Sequence, residues 1–168
     1  MEKIKLASVL CLAVLMSCMI TGCDSDPKEP GRYYNNSKGF SIKLPDGWSE
    51  RKPEMGLVVQ VSNPENSAQI GVQVQEIPEE KALDDAFKFM MTMMQRQGGQ
   101  IISQGEADIS GNNSRWFTCR YRDEKLLEYL LKKDNNLYAI IFTSNADKFT
   151  EAFENEMREV AGSFRFKE

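Results

Sequence analysis

The chain has 168 residues, 41% of them hydrophobic and 27% charged, with a formal net charge of −4. That length holds one domain plus an appendage, and the composition excludes intrinsic disorder, collagen-like repeats and a multi-span membrane protein; no basic run of the kind nucleic acid requires is present. Histidine is absent, which removes Ser-His-Asp and Cys-His catalytic arrangements, His-ligated metal sites, and the side chain that most often does acid–base work near neutral pH.

Lys3 and Lys5 make a short positive start, and Leu6–Ile20 follows without a charge. This apolar run falls short of the roughly 20 residues a membrane-spanning helix needs. A charged start, a short apolar centre and then small residues describe a secretory signal peptide. Its ending, Ile20-Thr21-Gly22-Cys23, resembles the lipobox of bacterial lipoproteins: an aliphatic residue, two small ones, then cysteine. Thr21 departs mildly from the Ala or Ser usual at its place. The resemblance implies a diacylglycerol on the Cys23 thiol, cleavage after Gly22 and acylation of the new amino terminus; a plain signal peptide with an incidental cysteine is the alternative. Two or more acyl chains hold a protein on a membrane stably, where one binds marginally. Cys23 is therefore read as the lipidation site, the membrane as a partner through that lipid, and the bacterial cell envelope as the location. Asp24 resembles an inner-membrane retention signal of enteric lipoproteins and leans the location that way. Cys11 and Cys18 lie in the leader, so Cys119, inside a strand-like run, is left as a buried, inert thiol.

Residues 24–38, DSDPKEPGRYYNNSK, lack periodicity and read as a tether, with Tyr33 and Tyr34 docking on the domain as a first edge segment. The chain thus divides into a leader (1–22), a lipidated cysteine and tether (23–38) and a folded domain (39–168).

Within the domain, Phe40, Ile42 and Leu44 alternate with polar residues before a Pro45-Asp46-Gly47 turn, after which Trp48 caps the core. Leu57–Val61 is a second strand. Ile70, Val72 and Val74 alternate in a third. The period then lengthens: Leu83, Ala86, Phe87, Met90, Met91 and Met94 form one apolar helix face over Ala82–Gln97, closed by Gly98-Gly99. The methionines are read as core packing, with a partner groove or a Cu(I) site as sharper alternatives. Gln100–Ile109 is a weak strand, Gly111-Asn112-Asn113 a turn, and Trp116–Tyr121 a strand carrying Arg120 and Arg122. Leu126–Leu131 and Leu137–Thr143 flank an Asn-rich hairpin turn at 132–136. The second of these is apolar on both faces and predicts a central strand covered on both sides. Ser144-Asn145-Ala146-Asp147 has the form of a capping box. The helix it predicts carries Phe149, Phe153, Met157, Val160 and Phe164 inward and Glu151, Glu154, Glu156 and Glu159 on the wet face. Short hairpins and two amphipathic helices imply an α+β fold: an α/β/α layered sandwich around a largely antiparallel sheet.

The stretch GFSIKLPDGW (Gly39–Trp48) and the ending TSNADKFTEAFENEMREVAGSFRF resemble PsbP-like domains, a superfamily that includes the extrinsic PsbP subunit of photosystem II, a Ran-binding import factor and envelope lipoproteins of the DcrB type. The resemblance covers about Gly39–Phe166. It implies an α/β/α fold and binding or assembly roles, with no cofactor, no metal and no enzyme activity.

Three functions are weighed. The first is a tethered, non-catalytic binding or assembly-accessory module with an envelope protein partner. The second is a small-molecule carrier with a pocket between sheet and helix, lined by Trp48, Trp116 and Tyr138. The third is a carboxylate-based enzyme using Glu79, Glu80, Asp84 and Asp85. No residue has a catalytic assignment. The one basic–aromatic cluster, Arg115, Trp116, Arg120, Tyr121 and Arg122, supplies the candidate binding residues Arg120, Arg122 and Trp116: an exposed strand face paired with acids, or a contact for an anionic lipid or partner.

Overall fold

The computed structural model describes residues 29–54 and 56–167. The leader and Cys23 lie outside them. In chain order the elements are β1 (Arg32–Asn35), β2 (Phe40–Lys43), β3 (Ser49–Glu50), β4 (Leu57–Ser62), β5 (Ala68–Glu76), α1 (Leu83–Arg96), β6 (Gln100–Ile109), β7 (Asn112–Tyr121), β8 (Glu124–Lys133), β9 (Asn136–Asn145), α2 (Glu151–Gly162) and β10 (Arg165–Phe166). The main sheet runs β3-β4-β5-β9-β8-β7-β6, and β1-β2-β10 form a smaller one. Every pairing among these strands is antiparallel.

Alternation in β8 assigns the faces. Leu127, Tyr129 and Leu131 join a core with Ile70, Val72, Ile140, Phe142, Met157, Val160 and Phe164, beneath α2 and the small sheet. Leu126 and Leu130 point the other way, into a second core with Phe87, Phe117, Cys119, Ala139 and the methionines of α1. Leu137, Tyr138, Ala139 and Ile140 of β9 are all buried, as a strand covered on both sides requires. The layers are α1, the seven-stranded sheet, and α2 with the small sheet: an α+β sandwich. No helix among the described residues is long and apolar enough to cross a membrane.

Arg32–Asn35 pairs with β2 along its full length and Tyr33 packs against the core, so the edge segment expected at Tyr33 and Tyr34 is strand β1. Three local features differ from the sequence reading. The β6–β7 turn falls at Ser110-Gly111, one residue early: both take positive φ, 53° and 77°, and Asp108 accepts from the Gly111 amide at 2.8 Å. That two-residue, left-handed turn matches strand twist better than a longer one. Arg122 is not on the strand. Tyr121 pairs with Glu124, so Arg122 occupies the loop tip at φ 56°. Finally, Ser144-Asn145 does not cap α2. Both residues stay in β9, paired with Ala68 and Glu124, and the buried Ser144 hydroxyl donates to the Ser67 carbonyl at 3.1 Å. The N-cap is Thr150, whose hydroxyl accepts from the Phe153 amide at 3.2 Å.

Candidate functional site

By alternation Trp116 and Arg120 share one face of β7, and Arg122 sits at the β7–β8 loop tip. Trp116 is half-buried on the α2 side of β7, where the Arg158 guanidinium lies 4.0 Å from its ring centroid. Its indole Nε1 donates to the Glu106 carbonyl at 3.3 Å. Arg158 also donates to Tyr129 at 3.0 Å and to Glu154 at 2.6 Å, and Lys125 reaches the same carboxylate at 3.2 Å. Glu154 therefore faces the sheet, not water. Burial opposes its ionisation, but the hydrogen bonds from Arg158 and Lys125 hold its pKa below the usual carboxylate range. Arg120 is exposed, and Arg122 covers the Tyr121 ring at 4.9 Å. Trp48 and Tyr138 pack with the α2-side core; Tyr138 is buried and edges against Phe164 and Phe166. The three aromatics named for a carrier pocket all pack in or against that core.

The open groove lies on the other face, between α1 and the β6–β7 edge. It encloses about 440 Å³, with Phe87 and Met91 from α1, Gln104 and Gly105 from β6, and a rim of Asp84, Lys88, Glu106 and Arg115. Helical spacing turns Phe87 and Met91 toward the sheet and leaves Asp84 and Lys88 at the rim, one turn apart. Arg115, pointing to this side by strand alternation, bonds Asp84 at 2.6 Å and also pairs with Glu106. The Arg115 hydrogen bond holds the Asp84 pKa low, and Asp84 in turn raises that of Arg115. Of the four acids considered for catalysis, Asp84 is thus committed to an ion pair, and Glu79, Glu80 and Asp85 are exposed. Among the described residues, no group of three or more Cys, Asp or Glu side chains is placed to hold a metal ion.

Beneath α1, Met90, Met91 and Met94 pack on the second core, as helical spacing requires. Cys119 is buried and free. Burial, with a contribution from the Glu128 charge, pushes its thiol pKa up, so it carries little of the thiolate that reactivity needs.

Glu128 is the residue the sequence reading passed over. It shares a face with Leu126 and Leu130, is 4% exposed, and its Oε1 has no hydrogen-bond partner. Burial pushes its pKa up to about 8. The signal was present: in the run Leu126-Leu127-Glu128-Tyr129-Leu130-Leu131, the one charge stands where alternation demands an apolar residue.

No protein-family model matches the sequence, and neither does any curated protein. Solved structures do match in fold. The solution structure of cyanobacterial PsbP (CyanoP) from Synechocystis sp. PCC 6803 superposes with a TM-score of 0.66 at 18% identity, over 88% of this chain and 98% of that one. LpqN, involved in cell envelope biogenesis of Mycobacterium tuberculosis, gives 0.63 at 9% identity over 83% and 87%. PA94, a Pseudomonas aeruginosa protein of unknown function, gives 0.51 at 11% identity over 76% and 90%. The chain, with two helices packed on an antiparallel sheet, has a PsbP-like fold.

Proposed function

We propose that this protein is a lipid-anchored module of the bacterial cell envelope that works by binding, without catalysis, as an accessory to an envelope partner. The observation that carries the reading is the apolar run ending in Ile20-Thr21-Gly22-Cys23 ahead of a PsbP-like domain. The site chemistry fits. The charges around the groove are engaged with one another, and the free thiol is buried with a raised pKa, whereas a nucleophile or general base needs a poised, accessible group. The description of LpqN, a cell-envelope protein of the same fold, fits as well. Fold alone leaves the partner open.

Intact mass spectrometry of protein extracted from bacterial membranes tests the anchor. The expected species begins at Cys23 and carries a diacylglycerol, and Cys23→Ser moves the protein to the soluble fraction. A bare Cys23, or a leader still attached, overturns it. Crosslinking in intact envelopes followed by peptide mapping tests the partner role: a reproducible crosslinked protein is expected, and repeated recovery of the uncrosslinked chain alone counts against it.

A further inference from the structure

The long edge of the main sheet is β6. The opposite edge, β3, is only two residues and so offers little to pair with. β6 has ten residues, Gln100–Ile109, with neither Lys nor Pro, the residues that commonly blunt an edge. Its register with β7 dictates which backbone groups face outward. Ile109 and Asn112 flank a two-residue turn, and such a flanking pair exchanges both of its hydrogen bonds. Ile109, Ala107 and Gly105 therefore point N–H and C=O toward β7, and Asp108, Glu106 and Gln104 point theirs away. The Trp116 indole agrees with this: it lies over Gly105 and reaches the Glu106 carbonyl. By this register the amides of Gln104, Glu106 and Asp108 face away from the β6–β7 ladder. A bulge between Ile101 and Ser103 ends the regular edge.

The groove beneath α1 opens along this same edge. We propose that the outer edge of β6 and the groove beside it dock an extended segment of a partner protein by strand addition. Main-chain hydrogen bonds supply affinity in that mode, and pockets for alternate side chains supply specificity. Side chains of the added strand that face α1 meet an apolar floor of Phe87 and Met91 near Gln104. Toward the turn they meet Glu106 and Asp108. Arg115 is already paired, and Glu106 remains 78% exposed in its side chain. Lys88 on the helix rim repels a cation at the floor. The segment that fits carries an apolar side chain at the floor and, two residues on, a Lys or Arg beside Glu106 and Asp108. This surface deepens the binding role proposed above, yet it fails separately: losing it leaves lipidation of Cys23, and partner capture through another face, untouched.

The test uses the full-length protein in detergent micelles and a synthetic peptide, acetyl-Thr-Leu-Thr-Lys-Thr-Lys-Thr-amide. Amide hydrogen exchange read by NMR is expected to slow at Gln104, Glu106 and Asp108 when the peptide is added, with little change at Gly105, Ala107 and Ile109. Gln104→Pro deletes one outward N–H without breaking the β7 ladder, since proline is tolerated on an outward edge. It is expected to weaken binding roughly tenfold, while Gln104→Ala, which keeps the amide, binds as the parent does. Replacing both peptide lysines by Glu weakens binding, and Glu106→Lys with Asp108→Lys reverses that preference. Unchanged exchange at the three outward amides overturns the proposal, as does full binding by a folded Gln104→Pro protein. Protection of those amides by rising protein concentration alone, with dimers in sedimentation, also overturns it, in favour of a second copy of this chain.

Discussion

Replacing Glu128 with Met removes the one buried carboxyl of the α1-side core at nearly constant volume. Glu128 is 4% exposed, and burial raises its pKa from 4.5 to about 8. The sign follows from linkage. Below pH 4.5 the group is protonated folded and unfolded, and contributes no pH dependence. Between 4.5 and 8 the unfolded chain releases the proton and the folded one keeps it, so stability falls as pH rises. At 1.36 kcal/mol for each pH interval of one, the loss is about 3 kcal/mol at pH 7 and approaches about 5 kcal/mol at pH 8. The window is unusually clean: the chain has no histidine, and Glu65, Asp84 and Glu154 are shifted down, away from it. Urea denaturation followed by tryptophan fluorescence at intervals from pH 5 to pH 8.5 reads the effect. The parent's midpoint is expected to fall across that range and the midpoint of Glu128→Met to stay level, the variant being the more stable by several kcal/mol at pH 8. Parallel pH profiles for the two proteins would refute the reasoning, because they would mean that Glu128 titrates alike folded and unfolded.

Gly105→Ala would place a Cβ 2.9 Å from the Trp116 ring; displacing the indole from its stack under Arg158 is expected to cost about 1–3 kcal/mol and to shift tryptophan emission to the red. Thr150→Ala removes the hydroxyl that accepts from Phe153 and is expected to lower stability by about 1 kcal/mol in chemical denaturation, whereas Ser144→Ala, at the position first read as the cap, leaves the N-terminus of α2 unchanged in hydrogen exchange. Glu154, with its pKa held low, contributes stability that is present above its unfolded value and lost as pH falls through the folded one; acid unfolding of Glu154→Gln is expected to be shallower than that of the parent, and equal slopes would mean the Arg158 and Lys125 bonds carry no net stability.

Elements with a strong local period were legible. The helix face Leu83, Ala86, Phe87, Met90, Met91 and Met94 was set by spacing alone, and the structure packs all six against the α1-side core. The two-sided apolar run of β9 announced a central strand for the same reason. Sites built from distant segments were not legible. Arg115 meets Asp84 across 31 positions and Arg158 meets Trp116 across 42, and no local pattern encodes such encounters. Glu154 looked solvated because alternation on a helix names a face and not what lies across from it. The capping box at Ser144 failed through competition: strand pairing to both neighbours holds that backbone in β9, and the helix begins only at Glu151, after Thr150.

Taken alone, the sequence determined most of the longer segments, their types and the apolar faces they bury, since these follow from the periods of 3.6 and 2 and from turn chemistry that acts over a few residues. The proposed anchor at Cys23 likewise rests on contiguous residues, the apolar run and Ile20-Thr21-Gly22-Cys23. Only the tertiary structure decided which faces stay open, that β6 forms the long edge beside a groove, that Glu128 is sealed with its Oε1 unpartnered among the described residues, and that Trp116 and Arg115 serve opposite sides of one strand. Those outcomes depend on strand order, and strand order is set by the packing of whole layers, which no short stretch of chain contains.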